Sequence, residues 1–295
     1  MYKSILIAVF TVISSASGLF AGLRVAATVP NMGMLARKIG GDKVEVTVMT
    51  PSDRDAHYLD ARPSMMAALR RADLLVAVGA ELEIGWLPSA IKGANNPRIQ
   101  TGRPGYFEGA AHVELIEKDK AADRSRGDVH PAGNPHFDLC PEKMVRVAIA
   151  LGGRMARLDS DNASYYRENA EKFADQINKL LPRWKERVEE APGSVTYHGD
   201  ANYLIKTLDV PFYGHIEVLP GIPPTASHLR ELVRNLKEKE GVVIHIEYQP
   251  SRGADFIGRQ LNWPVYKLPA QVRADADAGD YFNLIDRWVA ALLGN

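Results

Sequence analysis

From Ala163 to Val188 the chain runs without a glycine, and Phe173, Ile177, Leu180, Leu181 and Trp184 recur at three and four residues. That spacing predicts one long amphipathic helix. At about 1.5 Å per residue it is a rod of roughly 39 Å, long enough to cross two domains of ordinary size. Pro182 is its expected kink.

What flanks the rod is patterned differently. Upstream, Leu23 to Thr28, Val44 to Met49 and Leu74 to Val78 read as strands, with Met32 to Ile39 and Pro63 to Ala72 as helices between them. Pro141 to Leu158 carries a helical stripe at Met144, Val147, Ala148, Leu151 and Met155. Downstream of Pro192-Gly193, strands at 195–197, 212–218, 241–247 and 265–268 alternate with helices at 201–208, 225–239, 252–261 and 281–293. Alternation of this kind predicts an α/β fold of two lobes, each with a mostly parallel sheet flanked by helices. The expected organisation is an N-terminal lobe over 22–158, a linking helix over 159–190 and a C-terminal lobe over 191–295. No repeat of solenoid period and no low-complexity tract interrupts it.

Residues 1–21 stand apart. Lys3 precedes the apolar run Ile5 to Ile13, and small residues follow before Gly22. This is the pattern of a secretory signal peptide, too short in its apolar part to span a bilayer. No cysteine lies near the expected cut, so the expectation is a periplasmic protein without a lipid anchor. The single cysteine, Cys140, cannot form an internal disulfide, and an exported chain of 295 residues with 46% hydrophobic residues must rely on its core. Thirty-six basic and 36 acidic residues cancel, which gives no reason to expect nucleic acid as a partner.

Three histidines carry the chemistry. They lie in Asp55-Ala56-His57, Asn134-Pro135-His136-Phe137 and Tyr197-His198-Gly199-Asp200. Imidazole is the commonest metal-ligating side chain, and three leave one position for a carboxylate or water. No two are close enough in sequence to form a local zinc motif, so the fold must gather them. His57 follows the strand 44–49 and His198 ends the strand 195–197, which puts both at carboxyl ends of strands, where open α/β sheets bind ligands.

These segments resemble the metal-binding receptors of bacterial zinc/manganese ABC importers, the periplasmic type with a rigid linking helix. The resemblance covers essentially the whole chain after residue 21. It rests on Asp55-Ala56-His57 followed by Pro63-Ser64, Asn134-Pro135-His136 followed by Leu139-Cys140-Pro141, His198-Gly199-Asp200-Ala201-Asn202-Tyr203, Gly221-Ile222-Pro223-Pro224-Thr225 and Ile246-Glu247-Tyr248-Gln249-Pro250. It implies a high-affinity zinc receptor, His57, His136 and His198 as ligands, an inner-membrane ABC permease as partner, a periplasmic metallochaperone as a possible loader, and a monomer. The family's fourth ligand is an aspartate in the loop after the last strand, here Gln271 to Asp277, which makes Asp275 and Asp277 the candidates. Glu247 or a water is the alternative.

The chain also departs from the pattern. Ala56 stands where the family has proline, Cys140 where it has aspartate, and Asp138 where it has an aromatic. The histidine-rich loop of zinc receptors is reduced here to His112 and His130. His130 and His215 are read as residues supporting the site, as is Glu247 should it not ligate. His112, His228 and His245 are read as structural or solvent-facing, and Cys140 as a small buried residue. Zinc suits nitrogen-rich tetrahedral sites, whereas manganese seeks more oxygen. The manganese relatives carry glutamate where this chain has His198, so zinc is the expected cargo and manganese the alternative. Three ligands and an open position also describe a zinc hydrolase, although no His-Glu-x-x-His helix is present; a metal-binding adhesin is a third class.

Overall fold

The computed structural model describes residues 22–118, 127, 129–219 and 221–295. The export signal expected at 1–21 lies outside the described residues. Among the described residues no helix is long and apolar enough to cross a membrane.

Strands β1 (Leu23–Ala27), β2 (Val44–Val48), β3 (Leu74–Ala77) and β4 (Tyr106–Glu108) form one sheet in the order β2-β1-β3-β4. Strands β5 (Gly193–Thr196), β6 (Phe212–His215), β7 (Gly241–Ile246) and β8 (Val265–Leu268) form a second in the order β6-β5-β7-β8. Every pairing is parallel. The two sheets share one topology, with strand order reversing at β1/β3 and at β5/β7.

Side-chain alternation along the central strands assigns each face to a separate core. In β3, Leu75 and Ala77 pack with helices α2 (Pro63–Arg71) and α3 (Leu87–Ala94) through Leu69, Leu87 and Ile91. In β7, Val243 packs with α7 (Ala226–Leu236) and α8 (Arg252–Leu261) through Leu236 and Ile257. The opposite faces, Leu74 and Val76 of β3 and Val242, Ile244 and Ile246 of β7, belong to one continuous core. Helices α1 (Pro30–Gly40), α4 (Pro141–Leu158), α5 (Ala163–Arg187), α6 (Asn202–Leu208) and α9 (Ala278–Leu292) build that core. The 25 residues of α5 are the long helix expected from the sequence, with Pro182 inside it. Its buried stripe Tyr166, Phe173, Ile177 and Trp184 packs against α4 and α1 on one side and α9 on the other.

A polar lock reinforces the apolar one. Asn31 at the start of α1 donates from Nδ2 to Asp138 Oδ2 at 3.1 Å and to the carbonyl of Ala270 at 3.0 Å, while its Oδ1 accepts from the amide of Val272 at 3.0 Å. Gln271 donates to Asp138 Oδ2 at 2.6 Å and accepts from the Asn31 amide at 2.9 Å. Asn31 therefore stitches the loop after β8 to α1 and to the segment before α4, fully buried.

Two elements went unread in the sequence, α3 and β4. The eight residues of α3 include Pro88 and Gly93, and β4 has three residues, so neither carries enough periods to register. Strand β6 stops at His215 rather than at 218, beside Gly214 with φ +133° and a register shift against β5. Helix α9 starts three residues earlier than its apolar pattern because Asp277 caps it.

Replacing Asn31 by alanine leaves a buried amide and two buried acceptors short of a partner, each costing about 1–3 kcal/mol in principle. After relaxation we expect a loss of about 2–3 kcal/mol, read as a lower urea midpoint at unchanged slope. A loss below roughly 0.5 kcal/mol, the scale of an ordinary surface change, would contradict the lock.

Candidate metal centre

The carboxyl edges of the two sheets face each other, and the loops leaving them meet in a crevice. His57 comes from the loop after β2, His198 from the first residues beyond β5, and His136 from the segment before α4. Trp86 Nε1 donates to the carbonyl of Ala56 at 2.9 Å and so holds the His57 loop against the N-terminal lobe. The Asn134 side chain accepts from the His136 amide at 2.8 Å and donates to the carbonyl of Gly199 at 2.9 Å, tying the second histidine segment to the third.

The rings of these histidines converge. His136 and His198 oppose their Nε2 atoms at 3.2 Å. His57 lies 5.1 Å from His136 and 6.1 Å from His198 between ring centroids. His130 joins them, its Nε2 at 3.0 Å from Nε2 of His57. Ligand atoms of His57, His130 and His136 all lie within 4.8 Å of one another. A contact between two ring nitrogens is sustained only by a proton between them or by a cation that accepts both lone pairs.

Carboxylates surround the cluster from behind. Asp55 Oδ1 accepts from His57 Nδ1 at 2.6 Å and from the His57 amide at 2.9 Å. Glu217 Oε2 accepts from His198 Nδ1 at 3.1 Å. A carboxylate on Nδ1 fixes the tautomer, turns Nε2 inward and raises its basicity, the arrangement typical of metal-binding imidazole. Asp200 stands 4.0 Å from His136 Nδ1 and accepts instead from Gln249 at 2.8 Å and Tyr248 at 3.4 Å. His215 supports His198 indirectly: Asn202 Nδ2 donates to its Nε2 at 3.1 Å, its Nδ1 donates to Thr196 Oγ1 at 3.0 Å, and that hydroxyl donates to the His198 carbonyl at 2.9 Å.

Burial and charge set the protonation. Burial disfavours a charged His136, and the charges of His198, His57 and His130 add to this, so its pKa lies well below the usual imidazole value. Burial opposes the charged form of His198 too, yet the Glu217 hydrogen bond with the Asp200 and Asp55 charges outweighs it and lifts the pKa to about 9. His198 is therefore an imidazolium at neutral pH and its Nε2–H donates to neutral His136. Burial would raise Asp55, but the His57 hydrogen bond and charge hold it below the normal carboxylate range. Burial brings His215 down to about 4, so it is neutral.

The expected carboxylate ligands are corrected. Asp275 is an exposed residue paired with Arg273 at 2.9 Å. Asp277 caps α9, accepting from the Asp280 amide at 3.1 Å in a capping box. Glu247 is exposed at the end of β7. None of the three reaches the histidines; in the loop after β8 it is Gln271 that lines the small cavity behind His136, together with Asp138 and Asp200. Outside the cluster, His245 is buried in β7, His112 stacks on Phe107 at 5.0 Å, His228 contacts the His215 carbonyl at 3.1 Å and Cys140 is buried beside Thr207 at 3.3 Å. The sequence reading missed Asp55, Asp200 and Glu217. Asp55 and Asp200 were visible two residues from their histidines, whereas nothing local marked Glu217.

The metal-free protein should lose stability on both sides of about pH 6.5. His198 has a folded pKa above its unfolded value of 6.5, so its contribution is complete below that pH and is lost as pH rises through about 9, worth about 3 kcal/mol in all. His136, depressed in the fold, works the other way and weakens the fold as pH drops below 6.5. Urea unfolding in the presence of chelator from pH 5 to 10 reads both arms. Glu217→Gln should flatten the alkaline arm, and an alkaline arm that persists unchanged in that variant would refute the assignment.

Comparison with known proteins agrees with this architecture. The family described as ZnuA, zinc-uptake complex component A, periplasmic, matches residues 25–294. The manganese ABC transporter substrate-binding lipoprotein PsaA of Streptococcus pneumoniae serotype 4 is 24% identical over 264 residues, spanning 87% of this chain and 81% of that protein. A crystal structure of ZnuA superposes with a TM-score of 0.76 at 22% identity, covering 92% of this chain and 99% of that one. FpvC from Pseudomonas aeruginosa, in complex with Mn2+, superposes with a TM-score of 0.74 at 23% identity, covering 92% and 97%. These relatives are transport components rather than enzymes, which sets the hydrolase alternative aside. With nearly its whole length matched and four histidines converging between two α/β lobes, the chain belongs to the ZnuA family, the extracytoplasmic substrate-binding components of metal ABC transporters.

Proposed function

We propose that this protein is a zinc receptor that takes one Zn2+ between its lobes through His57, His136 and His198 and hands it to an inner-membrane ABC permease. The observation that carries this reading is the convergence of Nε2 atoms from loops of both lobes, with carboxylates on the far side of the rings. Nitrogen faces the centre and oxygen faces away from it. That donor set favours zinc over manganese, which seeks oxygen ligands and higher coordination. PsaA is named for manganese and FpvC was seen with Mn2+, so the donor set of this chain is what argues for zinc here.

We read residues 22–158 and 191–295 as the lobes and 159–190 as the linker. Residues 1–21 we read as the export signal that brings the chain to the periplasm. PsaA is named a lipoprotein, and the single cysteine of this chain, Cys140, is buried at the start of α4.

Competition titration against a chromophoric chelator tests the reading. His57→Ala, His136→Ala and His198→Ala should each weaken zinc by at least tenfold, about 1.4 kcal/mol. Because His198 keeps a proton up to about pH 9, that proton competes with zinc, and affinity should rise steadily from pH 5 through 7 toward 9. Unchanged zinc affinity in His136→Ala, or an affinity flat across this range, would contradict the proposal.

A further inference from the structure

We propose that His130 is the fourth metal ligand of this chain and the residue that makes its site all-nitrogen, selecting zinc over manganese. The inference rests on the zinc-receptor reading and sharpens it.

Distances carry the first part of the argument. A zinc ion with nitrogen ligands at about 2.0–2.1 Å in a tetrahedron keeps those nitrogens about 3.3 Å apart. The Nε2 pairs His57–His130 at 3.0 Å and His136–His198 at 3.2 Å both lie close to that edge. The two pairs fit as opposite edges of one tetrahedron, and the ligand atoms of His57, His130 and His136 lie within 4.8 Å of one another. The ring of His130 is 5.1 Å from that of His57 and 6.2 Å from that of His136, close to the 5.1–6.1 Å that separate the other three rings from one another.

The backbone carries the second part. His130-Pro131-Ala132-Gly133 is a turn closed by the Gly133 amide donating to the His130 carbonyl at 2.9 Å. Proline presets φ at the second position of such a turn. Gly133 adopts φ +119°, and a Cβ there would meet the Ile116 carbonyl at 2.7 Å, so glycine is required. The Asn134 amide then donates to that same Ile116 carbonyl at 2.9 Å. His130 is thus presented to the cluster from a turn of fixed shape, pinned at its far end.

The third part is that the nearby carboxylates are engaged elsewhere. Asp55 and Glu217 serve the Nδ1 atoms of His57 and His198, Asp200 takes Gln249 and Tyr248, and Asp138 takes Asn31 and Gln271. An imidazole from the 130–133 turn therefore occupies the position that an oxygen ligand would otherwise supply.

The test uses the chain without its leader and compares wild type with His130→Ala, His130→Asp and, as a control, His112→Ala. Zinc K-edge absorption of the wild-type zinc complex should fit four imidazoles, falling to three in His130→Ala. Zinc affinity should drop at least tenfold in His130→Ala and stay unchanged in His112→Ala. His130→Asp should narrow the zinc-over-manganese affinity ratio at least tenfold. Zinc affinity within twofold of wild type in a folded His130→Ala, with the imidazole count unchanged, would overturn the inference while leaving the receptor reading intact. A wild-type chain that binds no zinc would instead remove the receptor reading and this inference with it. Should the alanine variant fail to fold, the wild-type spectrum alone decides: four imidazoles support the assignment and three refute it.

Discussion

The position of every site residue depends on the continuous apolar core beneath it. Each sheet offers one face to its own outer helices and the other to a core that α1, α4, α5, α6 and α9 share. Burying apolar side chains at about 25 cal/mol per Å2 makes such a shared core costly to split. Trp184, Phe173 and Ile177 of α5 would all be exposed by a wide separation of the lobes. Asn31, Asp138 and Gln271 add a buried polar lock at the same junction. Two lobes joined in this way hold the carboxyl ends of their strands at a set separation, and ring nitrogens from both can then meet at 3.0–3.2 Å.

Within that frame the electrostatics separate two tasks. Asp55 and Glu217 orient His57 and His198 through Nδ1, and in doing so place negative charge just outside the ring of donors. That charge stabilises a cation without coordinating it. It also keeps a proton on His198 up to about pH 9, and this proton is bound where a metal would bind. Protons and metal are thus alternative occupants of the same lone pairs, which couples metal affinity to pH in the direction that deprotonation favours. Asp200 stands behind the ring of His136, and the Thr196–His215–Asn202 chain holds His198 by its carbonyl.

Much of this was legible in the sequence. Helix α5 and the stripe of α4 declare themselves because many turns repeat one pattern. Strands β3 and β7 do so because continuous apolar runs suit a parallel sheet buried on both faces. His57, His136 and His198 stood out by their placement at strand ends and segment starts. Other features were hidden for physical reasons. Asp277 lies in Asp-Ala-Gly-Asp, which serves a helix cap here, and a carboxylate in a loop does not announce whether it faces a ligand or an amide. His130 could be read only as a residue supporting the site, because the turn that aims it is defined by contact of Gly133 with Ile116 rather than by any local pattern. Glu217 reaches His198 through parallel pairing of β5 and β6, a long-range fact no window of sequence contains. Asp138, a departure from the family pattern, acquires its meaning only beside Gln271 and Asn31.

The most direct measurement is anomalous diffraction at the zinc edge from crystals of the zinc-loaded protein. The account predicts a single peak bounded by the four imidazoles, about 2.0–2.1 Å from Nε2 of His57, His130, His136 and His198. No carboxylate oxygen should fall inside that radius. A peak that leaves the histidines for Asp275 or Asp277, or one ligated mainly by oxygen, would contradict it.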